Sequence, residues 1–306
     1  MFMKKWRWHL ILILFSAMGA VGMQGAPAHR DGSPYPMEKR VLFAADSAQS
    51  WSAAECTIEG ATNRIFEGKE TLHWHVTVDH FAGEPNYPIG WPRITASIKE
   101  ALKRDWSEYD FLQFEIFTRT SREKLPLEPA GFSLQGPDRE HGFARPLAEL
   151  KKGAWVEFKI PLSQLPRKDD VRSMQFHISE SNYRHLDEVD FYISEVKLLR
   201  YAEPVLLNFE AESGALFADA KVVPVRFEVA GVRNRAEVKL ECSLRKGGEV
   251  LVRKPITVER GAQRVVLELG GKILEPGEYE VVGEIINGSQ ARRAKVRLVE
   301  SPWRQQ

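Results

Sequence analysis

From about residue 40 onward the chain alternates between apolar and polar positions. "TLHWHVTV" sets Leu72, Trp74, Val76 and Val78 against His73, His75 and Thr77. "DFLQFEIF" sets Leu112, Phe114 and Ile116 against Gln113 and Glu115, and "GFSLQG" sets Phe132 and Leu134 against Ser133 and Gln135. "WVEFKIPL" and "MQFHIS" continue in kind, the second opposing Met174, Phe176 and Ile178 to Gln175, His177 and Ser179. A period of two, with one face apolar and the other polar, is the signature of half-buried strands. Antiparallel sheets packed face to face, with wet outer faces, produce it. The pattern therefore predicts an all-β chain built on an antiparallel β-sandwich. One stretch, "ITASIKEALKRDW", has helical spacing in Ile94, Ile98, Ala101 and Leu102. It is short and predicts a turn or two of helix on the sandwich surface.

The pattern pauses at "RYAEPVLL", where Tyr201 closes one run and Pro204 opens another. This divides the 306 residues into a first domain at 38–201 and a second at 204–300. The second repeats the strand logic in a smaller package: Val225, Phe227, Val229; Val238, Leu240, Cys242, Leu244; Tyr279, Val281, Ile285; Ala294, Val296, Leu298. About seven short strands over roughly a hundred residues match the size of an immunoglobulin-like sandwich. The two cysteines, Cys56 and Cys242, each stand in phase with apolar neighbours of a different domain. They read as two separate, buried and unreactive thiols, which excludes a disulfide-stapled scaffold and a cysteine-rich zinc site.

Ahead of the strands, Lys4, Lys5 and Arg7 precede an apolar run beginning Leu10–Phe15, and Ala26-Pro27-Ala28 offers a cleavage site, with Ala20-Val21-Gly22 as a second. This is the layout of a signal peptide over residues 1–28. The expected location is outside the cytoplasm, whether periplasmic, cell-surface or secreted, with no membrane span once the signal is removed. The formal net charge is +1 and the two signs are interspersed. Such a balance lacks the segregated basic face of a nucleic-acid binder.

Candidate chemistry concentrates in "MQFHISESNYRHLDEVDFYISEVKL", Met174 to Leu198. Gln175, His177, Tyr183 and His185 could serve proton abstraction in the manner of jelly-roll polysaccharide lyases. That chemistry needs a base and an acid converging on one sugar ring, with a group to neutralise its carboxylate. The companion arginine-rich and tyrosine-bearing strands of those enzymes are not recognisable, and no catalytic residue is assigned. A phosphate-binding glycine loop, a nucleophile elbow and an HExxH helix are also missing from the sequence. His73 and His75 share one strand face at a spacing that can hold zinc, but the sequence places no third ligand and a wet strand face accounts for the pair. The stretch "DHFAGEPNYPIGWPRI" places Phe81, Tyr87 and Trp91 among Gly and Pro. Flat aromatics on such loops either stack on sugar rings or cap a core.

The succession "VLFAADSAQSW", "DWSEYDFLQFEIF", "GAWVEFKIPLSQL" and "DVRSMQFHISESNYRHLDEVDFYISEVKLL" resembles the jelly-roll carbohydrate-binding modules of galactose-binding-like fold. The resemblance covers roughly residues 38–201. The second domain looks like the immunoglobulin-like or fibronectin-like accessory sandwiches often joined to such modules. The resemblance implies a non-catalytic protein that binds an oligo- or polysaccharide. Trp91 and Tyr87 are then the stacking surfaces, and Gln113, Gln135, Gln175 and His177, which alternation turns outward, are the polar orienting groups. Amides suit that task because they donate and accept together, as sugar hydroxyls do. Many such modules carry a structural calcium on the first and last strands; the candidates here are Asp46 and Glu195, a thin set for an ion that takes six to eight oxygens. No other cofactor is implied. Two rival readings are a structural or adhesive surface protein that binds cell-surface proteins, and a jelly-roll lyase or hydrolase.

Overall fold

The computed structural model describes residues 35–302 apart from 83–88, 139–141, 234–235, 287 and 289. The expected signal segment and Tyr87 lie outside the described residues. Among the described residues no helix is long and apolar enough to cross a membrane.

The chain is all-β, as its alternation predicts. The first sandwich opens with β1 (Met37–Phe43), β2 (Trp51–Ala54), β3 (Thr57–Phe66), β4 (Lys69–Thr77), β5 (Arg93–Ser97) and β6 (Phe111–Thr120). It continues with β7 (Gly131–Gln135), β8 (Phe143–Pro146), β9 (Trp155–Pro161), β10 (Ser173–His177), β11 (Glu188–Ile193) and β12 (Val196–Tyr201). A seven-stranded sheet runs β1-β12-β6-β11-β4-β3, with β9 also on β6. A five-stranded sheet runs β2-β5-β10-β7-β8. Inward residues of the two sheets make one core, in which Trp74, Trp106, Phe114, Phe132, Phe176 and Phe191 are fully buried. Trp155 packs with Phe117, Tyr192 and Ala61 in a small cluster on the outer side of β6.

The second sandwich comprises β13 (Val205–Ala211), β14 (Ala215–Phe217), β15 (Val222–Ala230), β16 (Val238–Lys246), β17 (Glu249–Val258), β18 (Gly261–Glu268), β19 (Gly277–Ile285) and β20 (Ala291–Val299). Its sheets are β13-β15-β18 and β14-β20-β19-β16-β17, around a separate core that includes Leu240, Cys242, Val281 and Val296. One pairing departs from the antiparallel expectation: β14 lies parallel to β20.

Residues 36–306 form one compact unit holding both cores. Its two halves are joined by a polar lock. Arg260 on the second sandwich pairs with the Asp110 carboxylate and donates to the carbonyls of Glu108 (2.8 Å) and Val232 (2.7 Å). Asp110 also accepts from the backbone N–H of Tyr201 at 3.0 Å.

Two local expectations change. The stretch 94–106 is mostly not helical: Ile94 and Ala96 belong to β5, and only Ala101–Arg104 makes a single helical turn. There Leu102 is 87% exposed, so the helical spacing of Ala101 and Leu102 served no core. Cys242 is fully buried, but Cys56 is only half-buried, its Sγ lying 3.3 Å from the Arg93 carbonyl. Both thiols are free. Burial raises the pKa of each, that of Cys242 to about 12.

Candidate functional site

Antiparallel register brings the polar positions of the five-stranded sheet into rows. Gln175 on β10 stands opposite Thr95 on β5 and Ser133 on β7; Thr95 pairs with Ser52, and Ser133 with Ala144. Because the alternate residues Ile94, Phe132 and Phe176 fill the core, this row must face outward. The row is a platform of short side chains with one amide at its centre. Thr95 Oγ1 lies 3.4 Å from Gln175 Oε1, and the glutamine is 7% exposed, lying flat between its neighbours. The next row holds His177 between Arg93 and Gly131. A Cβ at position 131 would lie 2.3 Å from His177 Nε2, so only glycine leaves room for the imidazole there. His177 Nδ1 is buried and meets no protein partner among the described residues. Burial also lowers the pKa of this ring, which keeps it neutral near pH 7, with one donor and one acceptor nitrogen.

Trp91 closes the platform at its His177 end. Its indole is 48% exposed, edge-on to His177 at 5.4 Å, with the Arg93 guanidinium 5.2 Å from its ring centroid. The chain around it is fixed by two carboxylates. Glu180, 3% exposed, accepts from the backbone N–H of Asp79 (3.0 Å) and of Gly90 (2.9 Å), holding together both ends of the segment that carries the aromatics. Glu55 accepts from the Trp91 N–H at 2.6 Å. A side chain at Gly90 would collide with both carboxylates, its Cβ falling 2.6 Å from Glu180 Oε2 and 2.7 Å from Glu55 Oε2. Glu55 holds this pose with φ at 59°, a left-handed backbone unusual for glutamate. Neither glutamate is distinguishable in sequence from its many neighbours; a buried acid after a strand was the one weak signal.

Shallow hollows flank the platform. One of about 400 Å³ is lined by Gln49, Ser52, Thr95, Ser97 and Lys103. Another, about 280 Å³, is lined by Gly131, Ala144, His177, Ser179 and Asn182.

The residues singled out from sequence divide between several places. Gln175, His177 and Trp91 come together. Gln135 shares their sheet one row away, its Oε1 accepting from Ser173 Oγ at 3.4 Å. Gln113 does not join them. It belongs to β6 in the other sheet, is 5% exposed, and donates to Glu115 (2.8 Å) and Glu157 (2.9 Å). Alternation turned it out of the core correctly, but long charged neighbours on that face bury it. Of the calcium candidates, Glu195 is held between Lys39 (3.3 Å) and Lys69 (2.5 Å), whose ammonium groups take the lone pairs a cation would need. Asp46 stands exposed in the turn after β1. Tyr183 is buried with its hydroxyl donating to the Pro129 carbonyl at 2.6 Å, and burial raises its pKa. His185 lies beside His80 and Phe81. The proton-transfer set considered from sequence is thus not assembled around His177.

No protein-family model matches the chain, and a search of curated proteins finds no match. Solved structures do match in part. One is the glycoside hydrolase domain of Endo-D from Streptococcus pneumoniae R6, at 12% identity and TM-score 0.30, covering 81% of this chain and 37% of that one. Another is the CBM22-1 xylan-binding domain from Paenibacillus barcinonensis Xyn10C, at 9% identity and TM-score 0.32, covering 55% of this chain and 95% of that one. A third is TmCBM27, a carbohydrate-binding module described for mannan recognition, at 12% identity and TM-score 0.28, covering 54% of this chain and 97% of that one. Hydrolase chains and carbohydrate-binding modules thus stand side by side among the matches, and the chain spans little more than a third of the first. Likeness at this level carries no argument about function, which rests on the platform itself.

Proposed function

We propose that the chain is an exported, non-catalytic glycan-binding protein whose site is the outer face of β2-β5-β10-β7-β8, bounded by Trp91. One observation carries the reading: Trp91, 48% exposed, stands at the end of an outward face whose central row is Ser52, Thr95, Gln175 and Ser133, all hydroxyl or amide side chains. Hydroxyl and amide side chains both donate and accept, as sugar hydroxyls do. The small residues at 52, 95, 133 and 144 leave room for a chain of rings to lie across the strands. Trp91 offers an apolar surface to a sugar C–H face. The two carboxylates bordering the platform, Glu55 and Glu180, are engaged in fixing backbone N–H groups. That supports binding over acid–base cleavage.

The test is nuclear magnetic resonance titration of the protein with a panel of neutral and acidic oligosaccharides. The reading expects a saturable ligand that shifts the Trp91 indole N–H, the Gln175 side-chain amide and the His177 ring together. Release of shortened or unsaturated sugars during the titration would instead favour a hydrolase or lyase.

A further inference from the structure

The seven-stranded sheet presents a second cluster on its own outer face. His73 and His75, two apart on β4, pair in register with Tyr192 and Asp190 of β11, while Glu59 of β3 stands opposite His73. Ligand atoms of His73, His75 and Asp190 all lie within 4.8 Å of one another. Asp190 Oδ1 is 2.8 Å from His73 Nε2 and also 2.8 Å from His75 Nδ1. The remaining ring nitrogens are occupied too: His73 Nδ1 lies 3.1 Å from Glu59 Oε1, and His75 Nε2 lies 3.2 Å from Thr77 Oγ1. The His73 ring is stacked on Tyr192 at 4.6 Å and 5°, so it is oriented before anything binds.

The proton count at His73 does not close. A neutral imidazole has one N–H and one lone pair, whereas a carboxylate only accepts. Both His73 nitrogens face carboxylate oxygens, so a neutral ring satisfies only one of them, whereas a doubly protonated ring or a bound metal satisfies both. At His75 no such conflict exists, because a threonine hydroxyl can donate to Nε2 while Nδ1–H donates to Asp190.

We propose that this cluster binds a divalent transition metal, zinc by its donor set, through His73 Nε2, His75 Nδ1 and a carboxylate oxygen of Asp190. Two imidazoles and one carboxylate are a zinc-type set. With bonds of about 2.0–2.2 Å and tetrahedral angles, ligand atoms stand about 3.3–3.6 Å apart, so Asp190 opens by about 0.5–0.8 Å from its present 2.8 Å contacts, and the two imidazole nitrogens, within 4.8 Å of each other, adjust to the same spacing. The metal removes the conflict: His73 Nδ1–H then donates to Glu59, the carboxylate–histidine–metal arrangement that fixes tautomer and ring orientation. Side-chain exposures of 17%, 33% and 22% for His73, His75 and Asp190 leave a fourth position open to solvent.

The experiment is calorimetric titration of the chelator-stripped full chain with zinc sulfate, paired with cobalt(II) absorption spectra to report tetrahedral nitrogen and oxygen ligation. One equivalent should bind, and His75→Ala and Asp190→Asn should each weaken it at least about 100-fold. Glu59→Gln, changing only a positioning residue, should weaken it about 10- to 100-fold while leaving the cobalt spectrum tetrahedral. If Asp190→Asn fails to fold, His75→Ala, at the more exposed rim, carries the test. Failure of the wild type to bind would overturn the proposal. So would binding that survives both ligand variants but is lost in His80→Ala, which would move the site to the His80–His185 pair.

Discussion

His177 combines a buried Nδ1 with no hydrogen-bond partner among the described residues, a glycine that makes room for the ring and an indole against it. Its proton equilibrium gives the first prediction. Burial lowers its folded-state pKa below the ordinary value of 6.5, so between those two values the unfolded chain binds more protons than the folded one. Stability from this group is therefore complete above about pH 6.5 and declines as pH falls toward the folded pKa. Urea unfolding from pH 7.5 to 5 should show that decline in the wild type and a smaller one in His177→Gln; equal slopes would contradict a buried neutral ring. Gly131→Ala is the second prediction. Its methyl would meet the imidazole at Nε2, and overpacking of this kind costs about 1–3 kcal/mol. Chemical unfolding should detect the loss, with glycan affinity falling too as the ring swings away. An alanine variant of unchanged stability and affinity would mean the ring has somewhere else to go.

At the level of elements, the strands supply the platform and a single buried glutamate supplies its aromatic end. Glu180 holds the N–H groups of Asp79 and Gly90 from a 3% exposed position, and charge-assisted bonds of that kind are each worth about 1.5–3 kcal/mol. Glu180→Gln should weaken one of them. Hydrogen exchange should then speed at Asp79 or Gly90, whichever N–H loses its acceptor, with exchange in the β6 and β11 core unchanged; protection unaltered at both would mean the loop is held by other contacts. What the sequence made legible follows the same physics. Period-two alternation states which side of a strand is wet, and it placed Gln175, His177, Phe132 and Phe176 correctly. It does not state which sheet a strand joins, so whether Gln113 shares a face with Gln175 stays open until the structure puts β6 in the opposite sheet. Nor does it see across strands: His73 and His75 were visible as a pair, while Asp190, 115 residues from His75, meets them only through the β4–β11 register. The expected surface turn forms at Ala101–Arg104, but it starts later than the spacing suggests, since Ile94 and Ile98 fit a period of four and a period of two equally well.

For the molecule as a whole, the two cores meet through polar contacts, Arg260 on Asp110 and Arg233 on Glu38 at 2.9 Å. Arg260 reaches across to Asp110 with side-chain exposures of only 18% and 7%, and removing one partner of a buried hydrogen-bonded pair costs about 3–5 kcal/mol. Differential scanning calorimetry of Arg260→Ala should therefore resolve two transitions, one per core, more widely separated than in the wild type. A single unshifted transition would mean that the cores are coupled through other contacts. The proposed glycan platform lies on the first sandwich alone, so this variant should retain ligand binding. The claim on which the account turns is that the outer face of the five-stranded sheet, ending at Trp91, holds a sugar. Calorimetric titration of the wild type and Trp91→Ala with the same glycan panel tests it most directly. Loss of a stacking indole should cost about 1–2 kcal/mol, a five- to thirty-fold drop in affinity, with the melting temperature little changed because the side chain is half-exposed. A wild type that binds no glycan, or a Trp91→Ala variant that binds as tightly as the wild type, would contradict it.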